Sequence, residues 1–147
     1  MILTKTFSKK SNLTNSNKKI NIKKIDITNF QKVGKIMEDF RPDIIIHLAG
    51  NTSHSKSFEN PLQDVDSNTK TTLFMLEKIR ELKLSCKFIL GSTFIVIGKP
   101  NKLPVNEDTP CNPTTIYGVN RLASEHFCKI YYELYGINTN IFRITNS

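Results

Sequence analysis

The sequence predicts an α/β fold built on a parallel, doubly wound sheet, and three observations carry that reading. Two runs, Asp43–Ala49 and Lys87–Leu90, are apolar without alternation, the pattern of strands covered on both faces. Segments of helical period separate these runs from each other and from a last strand near the C-terminus. The resulting alternation of strands with crossover helices calls for right-handed βαβ units in one parallel sheet.

Taken in order, residues 5–19 read as a polar loop in which Lys, Ser and Asn crowd out apolar side chains. Ile20–Ile25 alternates as a strand should. Over residues 29–40, Phe30, Val33, Ile36, Met37 and Phe40 recur at spacings of three and four, which predicts an amphipathic helix. The run 43–49 lies between Pro42 and Gly50 and should form a buried strand. A helix follows over 61–83, with Leu73, Leu76, Ile79 and Leu82 inward, and then the strand at 87–91, which leads into Ser92-Thr93. Four prolines make 98–113 a loop. A helix over 114–135 should present Leu122, Phe127, Ile130, Tyr131 and Leu134 and stop at Gly136, since glycine accepts the left-handed cap conformation. Thr139–Ile144 closes the sheet. The two central runs, 43–49 and 87–91, should be adjacent and parallel, with the helices at 29–40 and 61–83 packed on them.

Composition narrows the function. The chain has 147 residues, about one domain, with 38% hydrophobic and 23% charged residues. No apolar run approaches the roughly 20 residues that span a bilayer, and the N-terminus has no charged leader with a long apolar stretch, so the expected compartment is the cytoplasm. The net charge of +8 suggests nucleic acid until it is located. Seven Lys and no acid fall in residues 1–24, leaving 14 basic against 13 acidic side chains elsewhere. A solvated lysine-rich stretch is not a folded basic face, and no nucleic-acid partner is expected. Cys86, Cys111 and Cys128 match neither a zinc site nor a disulfide framework, and His47, His54 and His126 lack ligand spacing, so no metal is expected.

In open α/β sheets, ligands bind beyond the carboxyl ends of the strands. Asp26, Ala49-Gly50-Asn51, Ser92-Thr93 and Asn146 stand at four such ends. Tyr117 and Arg121, four residues apart on one helix, share a face. A free tyrosine, with a pKa near 10, is a poor base at neutral pH, and a neighbouring cation favours its phenolate.

These residues resemble the extended short-chain dehydrogenase/reductases, in particular the NAD-dependent nucleotide-sugar epimerase/dehydratase group. The resemblance runs from about Ile20 to Ser147 and implies a Rossmann-like fold. His47-Leu48-Ala49-Gly50 resembles the strand motif that lies along the dinucleotide, and "NPLQDVDSNTKTTLFMLE" matches the "P…N…GT…LLE" pattern, with Asn68 at the cofactor-contacting Asn. "GSTFIVIG" is similar to "SS…VYG", which puts Thr93 at the catalytic Ser/Thr, and Tyr117, 24 residues on, stands at the catalytic Tyr. "YGINTNIFRITN" resembles "YG…LR..N", where Asn146 would touch the nucleotide-sugar. Asp26-Ile27 matches the pair that contacts adenine. By resemblance, then, Thr93, Tyr117 and Arg121 are catalytic, Thr93 and Asn146 meet substrate, and Asp26, Ile27, Leu48, Ala49, Gly50, Asn68, Tyr117 and Arg121 meet NAD. Family members are often homodimers.

The departures carry information too. The family's Tyr-x-x-x-Lys is Tyr-x-x-x-Arg here, and arginine's planar fork is no conservative replacement at such a site. Phe94-Ile95 stands where sugar 4,6-dehydratases carry an acidic pair, which favours an epimerase or reductase. The Gly-x-x-Gly-x-x-Gly turn that follows the family's first strand is absent from the sequence, and Thr4 occupies the usual acidic ribose position. The expected entity is residues 1–147 as a partial NAD-binding domain, lacking that first strand and the C-terminal substrate domain. It would be a fragment of a UDP-glucose 4-epimerase-like enzyme, inactive alone. The alternatives are a non-catalytic remnant that binds a partner chain, or a nucleotide-sugar reductase.

Overall fold

The computed structural model describes residues 1–5 and 20–145; the polar segment from residue 6 to 19 and Asn146 lie outside the described residues. Among the described residues, five strands form two parallel sheets. β1 (Ile2–Thr4) pairs with β2 (Ile22–Lys24), Ile2 opposite Ile22. β3 (Ile44–His47), β4 (Lys87–Thr93) and β5 (Thr139–Ile144) run in the order β3-β4-β5, with Ile46 beside Ile89 and Leu90 beside Ile141. The two central runs are therefore adjacent and parallel, as their composition predicts. In the doubly wound order 3-2-1-4-5-6, β2-β1 and β3-β4-β5 correspond to 3-2 and 4-5-6. The break between the sheets falls at position 1.

Helix ends follow local chemistry. α1 (Phe30–Phe40) starts where the Asn29 side chain accepts from the Lys32 N–H at 3.1 Å. It buries Val33 and Met37 and stacks Phe30 on Phe74, ring centroids 4.7 Å apart. A short helix unforeseen in the sequence, α2 (His54–Glu59), is capped by Ser53. Asn60 then caps α3 (Pro61–Asp64), whose proline sits in the first turn, where its missing N–H costs nothing. The backbone continues through a π-helical stretch, Val65–Lys70, into α4 (Thr71–Glu81). The helix expected over 61–83 is thus one run with a wide-pitched middle. Hydroxyls satisfy the carbonyl of Asn68 in that stretch: Thr72 Oγ1 donates at 3.0 Å and Ser124 Oγ at 3.2 Å. α5 (Ile116–Tyr135) begins at Thr115, which accepts from the Gly118 N–H at 3.0 Å, and ends at Gly136 with φ 67°.

The core joins α1, α4 and α5 to one face of the three-stranded sheet through Val33, Leu76, Ile79, Phe88, Leu90 and Cys128. Each such aliphatic or aromatic side chain contributes about 1.5–3 kcal/mol by leaving water.

Two sequence expectations need correction. The inward face of α5 was expected to be Leu122, Phe127, Ile130, Tyr131 and Leu134. Only Tyr131 is buried; Leu122 and Phe127 are half-buried, and Ile130 and Leu134 are exposed. The inward residues are Tyr117, Asn120, Arg121, Ser124, Glu125 and Cys128. The sheet also is not buried on both faces. Ile44, Ile46, Leu48, Phe142 and Ile144, all on the side away from the core, are exposed. No helix among the described residues is long and apolar enough to cross a membrane. Among them, too, no group of three or more His, Cys, Asp or Glu could hold a metal ion.

Candidate active site

The carboxyl ends of the strands open on two clefts that meet at Gly50-Asn51. The larger, about 540 Å³, reaches the ends of β1 and β2 and is lined by Thr4, Lys5, Asp26, Ile27, Ala49 and Gly50. The smaller, about 340 Å³, is lined by Leu48, Gly50, Ser92, Thr93, Tyr117 and Arg121. Both volumes suit small-molecule sites.

Thr93 closes β4, and its Oγ1 accepts from the Ile95 N–H at 3.4 Å, starting the 3₁₀ turn Phe94–Ile97. Tyr117 lies in the first turn of α5, with Arg121 one turn on; both are buried and both line the cleft that Thr93 borders. The three residues named together from the sequence therefore share one wall-to-wall space. Leu48 lines this cleft as well, whereas Asp26, Ile27 and Ala49 line the other. Asn68 stands behind Gly50: a Cβ at residue 50 would lie 2.2 Å from Asn68 Oδ1, so only glycine permits this approach. Asn146 is outside the described residues.

Arg121 donates through Nη1 to Asn68 Oδ1 at 3.4 Å, and its Nε is buried without a hydrogen-bond partner among the described residues. Burial pushes the guanidinium pKa down, and Tyr117, Glu125 and Asp64 oppose that shift electrostatically. His47, at the end of β3, is pushed down to about 3, first by burial and then by the Arg121 charge, so its ring is neutral. Burial, followed by the Glu125 charge, pushes the Cys128 thiol up to about 12, too high for a reactive thiolate. At the far end, Lys5 pairs with Asp26 at 2.7 Å and, with two hydrogen bonds from Thr28, holds that carboxyl down at about 2.

Several polar residues of this region were missed in the sequence. Glu125, buried one turn beyond Arg121, accepts from Ser92 Oγ at 2.6 Å and from Arg143 Nη2 at 2.9 Å, tying α5 to β4 and β5 beneath Thr93. Asp64 is buried and accepts from the side-chain nitrogens of Asn51 at 2.6 Å, Asn68 at 3.1 Å and Asn120 at 2.7 Å. Their positions did carry a signal, because Asp64 precedes Asn68 by four residues and Glu125 follows Arg121 by four, placing each pair on one helix face.

Parallel strands whose ends frame a two-part cleft, with a threonine, a tyrosine and a buried cation at one end, belong to the class of Rossmann-like α/β folds. A sequence model of the family described as GDP-mannose 4,6 dehydratase matches residues 3–147, and the chain belongs to the NAD-dependent nucleotide-sugar epimerase/dehydratase family of short-chain dehydrogenase/reductases. It is 34% identical to the UDP-glucuronate 4-epimerase of Thermodesulfobacterium geofontis, over 81% of this chain and 36% of that protein. The structure of the UDP-Glc/GlcNAc 4-epimerase from Campylobacter jejuni superposes with a TM-score of 0.86 at 27% identity, over 96% of this chain and 44% of that one. The UDP-glucose 4-epimerase from Brucella ovis in complex with NAD gives 0.79 at 27% identity, over 86% and 38%. The chain spans a little over a third of the length of the curated relatives it matches.

Proposed function

We propose that the described residues form the cofactor and reaction wall of an NAD-dependent nucleotide-sugar epimerase. The observation that carries this is the placement of Thr93, Tyr117 and Arg121 on one cleft that joins the larger cleft at Gly50. Two features fit a dinucleotide. Gly50 lets Asn68 and Arg121 close up behind the backbone where the two clefts meet, and the unpartnered Arg121 Nε offers a donor to a ribose oxygen at the small-cleft end. When bound, NAD supplies hydride uptake and return. In this reading Tyr117 as phenolate, its negative charge faced by the Arg121 guanidinium, takes the proton from the reacting sugar hydroxyl and becomes neutral, while Thr93 hydrogen-bonds the same oxygen. Asp26 and Ile27 would border adenine, and Leu48 and Ala49 would flank the cofactor, with Asn68 behind Gly50. Phe94 and Ile95 bring no acid to the site for water elimination, which favours epimerisation over dehydration.

The sequence holds no Gly-rich turn to cradle a pyrophosphate. Each remaining hydrogen bond contributes only about 1 kcal/mol net. Residues 1–147 alone should therefore bind NAD with a dissociation constant of about a millimolar, and turn over no nucleotide-sugar. Titration of the ¹⁵N-labelled chain with NAD should shift the resonances of Gly50, Asn68, Thr93 and Tyr117, and Arg121→Ala should remove those shifts. Millimolar NAD that leaves all four unmoved would overturn the reading.

A further inference from the structure

Asp64 is almost wholly buried, at 1% exposure, and nothing in the proposed chemistry uses it. Three side-chain amides meet its carboxylate, each from a different element: Asn51 from the loop after β3, Asn68 from the π-helical stretch and Asn120 from α5. A carboxylate only accepts, with room for about four donors. Every amide facing it must turn its nitrogen inward and its oxygen outward. The outward oxygens have defined partners: Asn51 Oδ1 accepts from the Ser53 N–H at 3.1 Å, Asn120 Oδ1 from Thr69 Oγ1 at 3.0 Å, and Asn68 Oδ1 from Arg121 Nη1 at 3.4 Å.

We propose that Asp64 is the positioning residue of the cleft: an acceptor-only carboxylate that fixes the orientation of three amides and so aims Asn68 Oδ1 at Arg121 beside Gly50. Its consequence for binding rests on the dinucleotide reading above. An asparagine at this position would fill the same volume yet set a fourth donor among three, and each amide would be free to turn over. That difference separates orientation from space-filling.

The test compares the 147-residue wild type with Asp64→Asn, Asn68→Ala and the double variant. In the wild type, the side-chain amide protons of Asn51, Asn68 and Asn120 should exchange with solvent far more slowly than those of the exposed asparagines. Exchange at the free-amide rate would overturn the proposal without any variant. In Asp64→Asn, with its fold checked by backbone amide dispersion, that protection should be lost and NAD affinity should fall roughly tenfold. In the Asn68→Ala background the same substitution should cost less than about twofold, because the two residues act as one unit. Unchanged protection and affinity in Asp64→Asn would reduce the carboxylate to a filler. Equal fold-losses in both backgrounds would show that it does not act through Asn68. Should the wild type not respond to NAD at all, the dinucleotide reading falls, and the exchange rates alone decide the positioning role.

Discussion

The two faces of the β3-β4-β5 sheet have nearly the same composition and opposite fates. Ile45, Phe88, Leu90 and Ile141 turn toward α1, α4 and α5, with Phe88 and Leu90 fully buried. Ile44, Ile46, Phe142 and Ile144 point the other way, and Ile46 is 62% and Phe142 58% exposed. Strand composition thus records that both faces are made to be covered, while the described residues cover one. Strongly apolar strands state how much surface is to be buried but do not say which elements bury it.

That contrast can be broken from the covered side first. Phe88→Ala should destabilise the chain by about 3–5 kcal/mol, the cost of a core cavity, read as a lower midpoint in urea unfolding. A loss below about 1 kcal/mol would mean that the helices do not close over this face. A pH series sharpens the comparison next. His47 lies on the covered face and is held neutral down to about pH 3, whereas the unfolded ring titrates near 6.5. Between those values the unfolded chain binds the proton that the folded chain refuses. Stability should be complete above pH 6.5 and fall as the pH drops toward 3, and His47→Gln should flatten that part of the curve. An unchanged slope would remove His47 as its source. The smallest effect belongs to the open face. Ile46→Thr should change stability by no more than about 0.5 kcal/mol while lowering self-association in sedimentation, since exposed apolar patches promote contact. A large loss of stability would show that this face is covered in solution.

How far the sequence could be read follows the same division. The grouping of Thr93 with Tyr117 and Arg121 came from the family resemblance. The adjacent parallel strands at 43–49 and 87–91 follow from apolar runs, α1 from its period, the end of α5 from Gly136, and the shared face of Tyr117 and Arg121 from their spacing. The inner face of α5 did not, because hydrophobic period locates only cores made of hydrocarbon. Here the buried stripe is Asn120, Arg121, Ser124 and Glu125, and the leucine at 134 faces solvent. α2 escaped as well: six largely polar residues show no period, and only Ser53, in place as an N-cap, marked its start. Nothing in the residue types of 65–70 announced a π-helical pitch. It depends on hydroxyls from Thr71, Thr72 and Ser124 being in reach of freed carbonyls, which is a property of the assembled molecule.

That wide-pitched stretch takes up about one extra residue in the run from Pro61 to Glu81. Each residue of an α-helix advances the face by about 100°. Upstream of the stretch, Asp64 is phased to the cleft; downstream, Leu76 and Ile79 are phased to the core. Single substitutions on its outer side, at Asp66 or Lys70, leave that phase intact. A π turn holds about one residue more than an α turn, so removing one residue from the outer side of Val65–Lys70 would straighten the helix with both halves still in phase. Removing two would turn one half against the other, so that either the carboxylate leaves the cleft or the leucine leaves the core. The stretch therefore holds one residue in reserve: here the helix can lose length without losing its phase.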